Sequence, residues 1–248
     1  MALTFGSLFA GIGGFDLGFE RAGLTCKWQV EIDAYCNKIL EKHWPDVMRY
    51  KDVQDCGRHN LKPVDVICGG FPCQPISVAG RRKGDKDARW LWPNFYRIIC
   101  ELKPKWVVVE NVRGLLSAQR GQLFGEILRD LAQIGYNAEW EVLPARCFGA
   151  PHLRARVFII AYPSSAGLQR CVFEKSLRSK QGASPTKFGN RNIACGDWWR
   201  THLSDIYLGD GISTKLARRH LRVLGNAVVP QVTQFIGECI MEVNGQDE

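Results

Sequence analysis

Short apolar runs and longer amphipathic stretches alternate along the first 160 or so residues. Runs of strand length, bounded by turn residues, stand at 4–9 (TFGSLF), 26–30 (CKWQV), 64–68 (VDVIC), 105–109 (KWVVV) and 155–161 (ARVFIIA). Between them, residues 15–22, 34–43, 92–102 and 121–134 are amphipathic and long enough for helices. Strands joined by helical crossovers predict an α/β fold with a parallel sheet covered on both faces, and ligand sites at the carboxyl ends of the strands. The alternation stops after Tyr162-Pro163. Residues 163–212 are rich in Ser, Gly, Arg, Lys and Asn, carry "DWW" at 197–199 and lack hydrophobic periodicity. A plain connection in a compact domain is rarely that long, so this stretch reads as an inserted functional segment. Helical order is expected from Ser213, with a last amphipathic helix from Pro230 to Val243.

A chain of 248 residues suffices for one sizeable domain with a small appendage. No apolar run reaches the roughly 18 residues of a membrane span. The start, "MALTFGSLFAGIGG", has no basic region and turns glycine-rich early, so it reads as a first strand rather than a leader, and the expected location is the cytoplasm. Ten cysteines include no C-x-x-C pair, and Cys68 and Cys100 fall in apolar runs. Reduced thiols are expected, with neither disulfides nor a metal site.

Charge narrows the partner class. The formal net charge is +8. Residues 81–89 (RRKGDKDAR) carry five basic and two acidic side chains, and 162–204 carry seven Lys or Arg against Glu174 and Asp197. Each run alone reads most simply as a solvated loop; together they fit a polyanion.

Five stretches bear chemistry. In "LFAGIGGFDLGFERAG" (8–23) a strand enters a glycine turn and then a helix, an arrangement that brings backbone close to a ligand. Glu31 ends the next strand and Asp52 follows the next unit; two such acids favour an adenosine-containing ligand, Glu31 suiting ribose hydroxyls and Asp52 an adenine amino group. In "GGFPCQPIS" (69–77), Cys73 stands between Pro72 and Gln74, with Pro75 beyond. Flanking prolines fix the thiol's direction, and a nearby basic loop can lower its pKa, which makes a nucleophile; a buried packing cysteine is the simpler reading. In "KWVVVENVRGLL" (105–116), Glu110 and Asn111 close an apolar strand. A carboxyl group buried there should have a raised pKa and can donate a proton near neutrality; capping of the next turn is the alternative. In "GAPHLRARVFIIA" (149–161), Arg154 and Arg156 alternate onto one face and can hold a thiolate, a carbonyl oxygen or a phosphate. In "LRVLGNAVVPQV" (221–232), Asn226 is placed to cap the last helix.

In this order the five stretches closely resemble the C5-cytosine DNA methyltransferase family of prokaryotic or phage type. The resemblance implies an S-adenosylmethionine-dependent, Rossmann-like methyltransferase fold, with a mostly parallel seven-stranded sheet and a small target-recognition subdomain. It divides the chain into a catalytic and cofactor-binding domain (1–162), a target-recognition region (163–212) and a C-terminal segment returning to the catalytic domain (213–248). It implies DNA cytosine-5 methylation in a restriction-modification or phage DNA-protection setting, on double-stranded DNA whose target base is flipped out of the helix.

The resemblance also assigns roles. Cys73 attacks C6, Glu110 acts at N3, and Arg154 and Arg156 hold O2 and orient the thiolate, Arg156 being the better candidate for O2. The basic loop 78–92 closes over DNA. The cofactor is S-adenosylmethionine, leaving as S-adenosylhomocysteine. Phe9 stacks on adenine, Gly11, Gly13 and Gly14 form the turn, Glu31 takes the ribose, and Ile32 stands where the family often has Trp. Asp52 and Val53 meet the adenine edge, Pro72 adjoins the cofactor, and Asn226 and Val228 reach the methionine end. His152 replaces the family's usual Gln, and no side chain presents itself as the base that removes the C5 proton. A monomer without metal or membrane contact is expected, with a cognate restriction enzyme that forms no stable complex. The alternatives are a tRNA cytosine-5 methyltransferase, a DNA-binding relative that has lost catalysis, and a small-molecule methyltransferase, which seldom needs a cysteine nucleophile.

Overall fold

The computed structural model describes residues 2–72, 90–150, 152–164 and 224–245. Cys73, the basic run 81–89, most of the inserted segment 163–212 and the expected helical restart at Ser213 lie outside them.

Seven strands form one sheet: β1 (Thr4–Leu8), β2 (Thr25–Val30), β3 (Met48–Tyr50), β4 (Val66–Gly69), β5 (Trp106–Val112), β6 (Tyr136–Pro144) and β7 (Ala155–Pro163). Their order is β3-β2-β1-β4-β5-β7-β6. The first five pair in parallel, and β7 alone runs backwards, antiparallel to both β5 and β6. The α-helices that lie wholly within the described residues are α1 (Gly14–Arg21), α2 (Ala34–His43), α3 (Trp92–Leu102), α4 (Gln122–Gln133) and α5 (Pro230–Asn244). The five strands and five helices expected from periodicity are all present. β3 and β6 escaped it. β3 has three residues, too few for a period, and β6 alternates apolar with charged residues (YNAEWEVLP) at an edge where one face meets water. Cys100 lies on α3 rather than in a strand.

Alternation along the central strands feeds two cores. On β5, Val107 and Val109 join Ile67, Ile159, Phe95 and Ile127 beneath α3 and α4. Trp106 and Val108 join Phe5, Phe158 and Ile160 beneath α1 and α5. Strand residues are therefore apolar on both faces, as a covered sheet demands. α5 buries Val232, Phe235, Ile236, Cys239, Ile240 and Val243, one stripe at helical spacing.

α1 and α5 lie nearly backbone to backbone. A Cβ added at Gly14 would run into the Val228 carbonyl, and one at Gly18 into the Thr233 hydroxyl and the Pro230 carbonyl. The Thr233 hydroxyl donates to the Gly14 carbonyl at 3.0 Å. In an exposed helix, Gly→Ala gains about 1 kcal/mol. Here Gly18→Ala should instead cost about 1–3 kcal/mol through overpacking. Urea denaturation checks the sign, and a stabilised variant would mean the two helices can separate without loss.

Candidate active site

The strand order gathers the functional residues at one edge of the sheet. Parallel strands β1 to β5 all end there, and because β7 is reversed its beginning lies there too. Phe9 follows β1, Glu31 follows β2, Asp52 stands two residues past β3, Gly70 to Pro72 follow β4, Glu110 to Val112 end β5, and Arg154 and Arg156 stand at the entry to β7.

Glu110 is 8% exposed. Its neighbour across the ladder is Phe158, while Arg156 stands opposite Val112. Glu110 and Arg156 are thus diagonal partners on one face, and Arg156 Nε lies 3.1 Å from Glu110 Oε1. Burial pushes the Glu110 carboxyl up to about 7, against the opposing pull of Arg156 and Arg154. The turn leaving β4 presses on the same carboxyl, since a Cβ at Gly70 would stand 2.8 Å from Glu110 Oε2. Asn111, turned to the other face, donates from Nδ2 to the Phe71 carbonyl at 3.4 Å. Both side chains thereby hold the segment that leads into Pro72 and Cys73. The strand places Glu110 inside β5, which removes the capping alternative.

The two arginines separate in role. Arg154 precedes the strand with a left-handed backbone (φ 31°). Its guanidinium donates to the carbonyls of Gly225 at 2.7 Å and Ala227 at 2.6 Å. It ties the returning C-terminal segment to the sheet, while Arg156 faces the carboxyl group. Asn226 lies between the two tethered carbonyls and does not cap α5: the N-cap is Val229, with Pro230 in the first turn. His152 is exposed.

At the β1 and β2 ends, the backbone forms a cradle. Gly11 and Gly13 both take left-handed φ, 59° and 84°, and no atom lies within 4 Å of a Cβ built at Gly11. Phe9 also has positive φ (53°), unusual for a bulky residue, and its ring stacks on Phe95 with centroids 6.3 Å apart. Glu31 Oε2 accepts from Gly11 N–H and Oε1 from Asp33 N–H, both at 2.7 Å. Each oxygen keeps a second lone pair for a hydroxyl donor. Burial raises the Glu31 pKa, while the Asp33 and Gly11 amides work against it. Ile32, beside it, is 73% exposed, an apolar side chain with nothing to cover it among the described residues. Asp52 Oδ1 caps the turn Val53–Asp55 by accepting from Gln54 N–H at 2.9 Å. Val53 is buried. An open glycine turn, a carboxylate with spare lone pairs, an exposed aliphatic wall and a second acid fit an adenosine moiety.

Sequence reasoning assigned Asn111 no partner and overlooked the hold of Arg154 on 225–227. The Arg–carbonyl contacts span more than seventy residues, and no local pattern announces them.

A mostly parallel sheet of this order with a reversed β7 is the Rossmann-like fold of S-adenosylmethionine-dependent methyltransferases. Residues 3–193 match the family model for C-5 cytosine-specific DNA methylase, and the chain belongs to that family. It is 36% identical over 174 residues to the type II methyltransferase M.BsuFI of Bacillus subtilis, covering 70% of this chain and 42% of that protein. It is 32% identical over 174 residues to M.HhaI of Haemophilus parahaemolyticus, covering 70% and 53%. The chain thus spans about half the length of the curated relatives it matches. Among solved structures, a prophage-encoded E. coli protein described as a DNA modification methyltransferase superposes with a TM-score of 0.60 at 29% identity, covering 68% of this chain and 49% of that one.

The raised pKa of Glu110 sets a sign for stability. Between the unfolded value near 4.5 and about 7 the folded protein binds the extra proton, so stability present at low pH is lost as pH rises through that window. Burial also pushes the Asp16 carboxyl up to about 6, so it contributes a slope of the same sign. Glu110→Gln should remove only its own share. The melting temperature of the variant relative to the parent should therefore be higher at pH 8 than at pH 5. A difference independent of pH would mean that Glu110 is ionised throughout.

Proposed function

We propose that this chain is a DNA cytosine-5 methyltransferase that uses S-adenosylmethionine and acts on a cytosine flipped out of double-stranded DNA. The observation that carries the reading is Glu110: a carboxyl group buried at the sheet edge, poised near neutrality, paired with Arg156 and packed against the turn that leads to Pro72-Cys73.

Cytosine C5 is a poor nucleophile until C6 bears an electron-rich substituent. The Cys73 thiolate attacks C6. Glu110, protonated, hydrogen-bonds or donates to N3 and so stabilises the charge that develops on the ring. Arg156 donates to O2 of the same ring, a role supported by its contact with Glu110, which fixes the carboxyl group's direction. The donor, when bound, supplies an electrophilic methyl group on a sulfonium. Loss of the C5 proton and release of Cys73 restore the aromatic ring. Glu31 holds the ribose hydroxyls, Phe9 and Ile32 flank the adenine, Asp52 and Val53 meet its edge, and Pro72, Asn226 and Val228 line the path toward the methionine end. Arg154 keeps Asn226 and Val228 in place through the carbonyls of their neighbours Gly225 and Ala227. Residues 163–212 read the target sequence. The protein works as a cytoplasmic monomer, in a restriction-modification or phage-protection setting, without a stable complex with any restriction enzyme.

Duplex DNA carrying 5-fluorocytosine, incubated with the protein and S-adenosylmethionine, should give a covalent adduct at Cys73 under denaturing conditions, because fluorine cannot leave C5 as a proton does. Adduct on RNA alone would move the substrate class, and adduct at another residue would remove Cys73 as nucleophile. Glu110→Gln should lower kcat by roughly 10²–10⁴-fold with cofactor KM little changed, since it takes away the general acid and leaves the cradle intact. Unchanged turnover would take Glu110 out of the chemistry.

A further inference from the structure

The loop after β3 carries the two residues assigned to the adenine edge. Its buried side chains Val53, Cys56 and Leu61 seat it in the core, and a pair on α3 ties down its backbone. Arg97 Nη2 donates to the carbonyls of Val53 at 3.2 Å and Gln54 at 3.4 Å. Arg97 Nη1 donates to Glu101 Oε1 at 2.8 Å. Glu101 Oε2 then accepts from the backbone N–H of Arg58 at 2.7 Å. The fork therefore grips the loop at its beginning and, through Glu101, at its end. Gly57 sits inside the grip: a Cβ there would strike Glu101 Oε2 and come within 3.1 Å of Arg97 Nη1. The Arg58 amide, followed by Arg97, holds the Glu101 carboxyl below its ordinary range, so it meets the guanidinium as a carboxylate.

Within the loop the Val53 carbonyl is shared. Val53 O also accepts from Cys56 N–H at 3.3 Å, and Cys56 Sγ donates to Asp52 O at 3.2 Å. Asp52 Oδ1 is already committed to Gln54 N–H. The direction of the Asp52 carboxylate is thus set by the turn Val53–Asp55, whose backbone Arg97 fixes together with the buried Val53 and Cys56 side chains. Arg97 and Glu101 are 38% and 31% exposed in their side chains. Pairs so exposed contribute little to global stability, and an i,i+4 pair serving α3 alone would not need to reach two carbonyls and an amide of another segment.

We propose that Arg97 and Glu101 are positioning residues for the adenine-recognising loop: they set the affinity and base selectivity of the adenosyl site without touching cofactor or substrate. The inference rests on the cofactor reading given above. Arg suits the task because its planar fork serves two carbonyls and a carboxylate at once, which a Lys ammonium cannot do in the same geometry.

The test is titration calorimetry of the full chain with S-adenosylhomocysteine and with its inosine counterpart, which carries an oxygen in place of the adenine amino group. The parent should bind the adenosine form and discriminate against the inosine form. Arg97→Ala should weaken the adenosine form about tenfold and bind the inosine form nearly as before, so that selectivity shrinks. Its kcat at saturating cofactor should stay unchanged while KM for the cofactor rises. Glu101→Gln, a milder change, should move the same quantities in the same direction, and Arg97→Lys should recover only part of the loss. Equal weakening of both ligands, or unchanged affinity in both Arg97→Ala and Glu101→Gln, would overturn the inference. A parent protein that binds neither ligand would instead remove the cofactor reading, and the inference with it.

Discussion

A carboxyl group taken out of water must find a compensating charge, change its protonation state, or do both. Glu110 does both. It follows four buried residues of β5, and the reversed strand sets Arg156 diagonally across the ladder from it. The compensation is incomplete, because desolvation still outweighs the two arginines, and the group remains a proton donor near neutrality. A fully neutralised Glu110 would be a structural ion pair. An uncompensated one would destabilise the sheet edge. The intermediate balance follows from one arginine in contact and a second, Arg154, turned away to bind backbone carbonyls.

That balance depends on the topology. With β7 parallel, its beginning would lie at the far end of the sheet, and neither arginine would reach the strand ends where Phe9, Glu31 and Asp52 gather. The parallel strands place on one edge a cradle with spare hydrogen-bond capacity at β1 to β3 and a buried acid at β5, and the reversal brings the arginines to the same edge. The turn after β4 lies between them and carries the chain from Gly70, packed on Glu110, toward Pro72.

Much of this was legible in the sequence because the informative signals are local. Glycines after a strand, an acid after the next strand and a carboxyl group ending an apolar run each reveal themselves within a dozen residues. The acid with raised pKa could be inferred for Glu110 because burial of a strand end follows from the four apolar residues before it. Three things were not legible. β3 and β6 carry too little periodicity. Asn226 looks like a helix cap by residue type, but Pro230 sets the helix start four residues later. The contacts of Arg154 and Arg97 go to backbone carbonyls, and a carbonyl has no sequence identity to pair with. Residue spacing can expose a charge pair such as Arg97–Glu101, but not the backbone groups it grips on another element.

The close seating of α5 on α1 also bears on how the chain folds. Phe15 and Phe19 of the first helix belong to a core that the last helix completes, and about two hundred residues separate the two. At ordinary synthesis rates that interval is on the order of 10–40 s. Until α5 is made, the glycine ridge of α1 lacks the helix it packs against, although Phe19 can already meet Phe5 of β1. The first helix of the chain is thus among the last elements to be sealed.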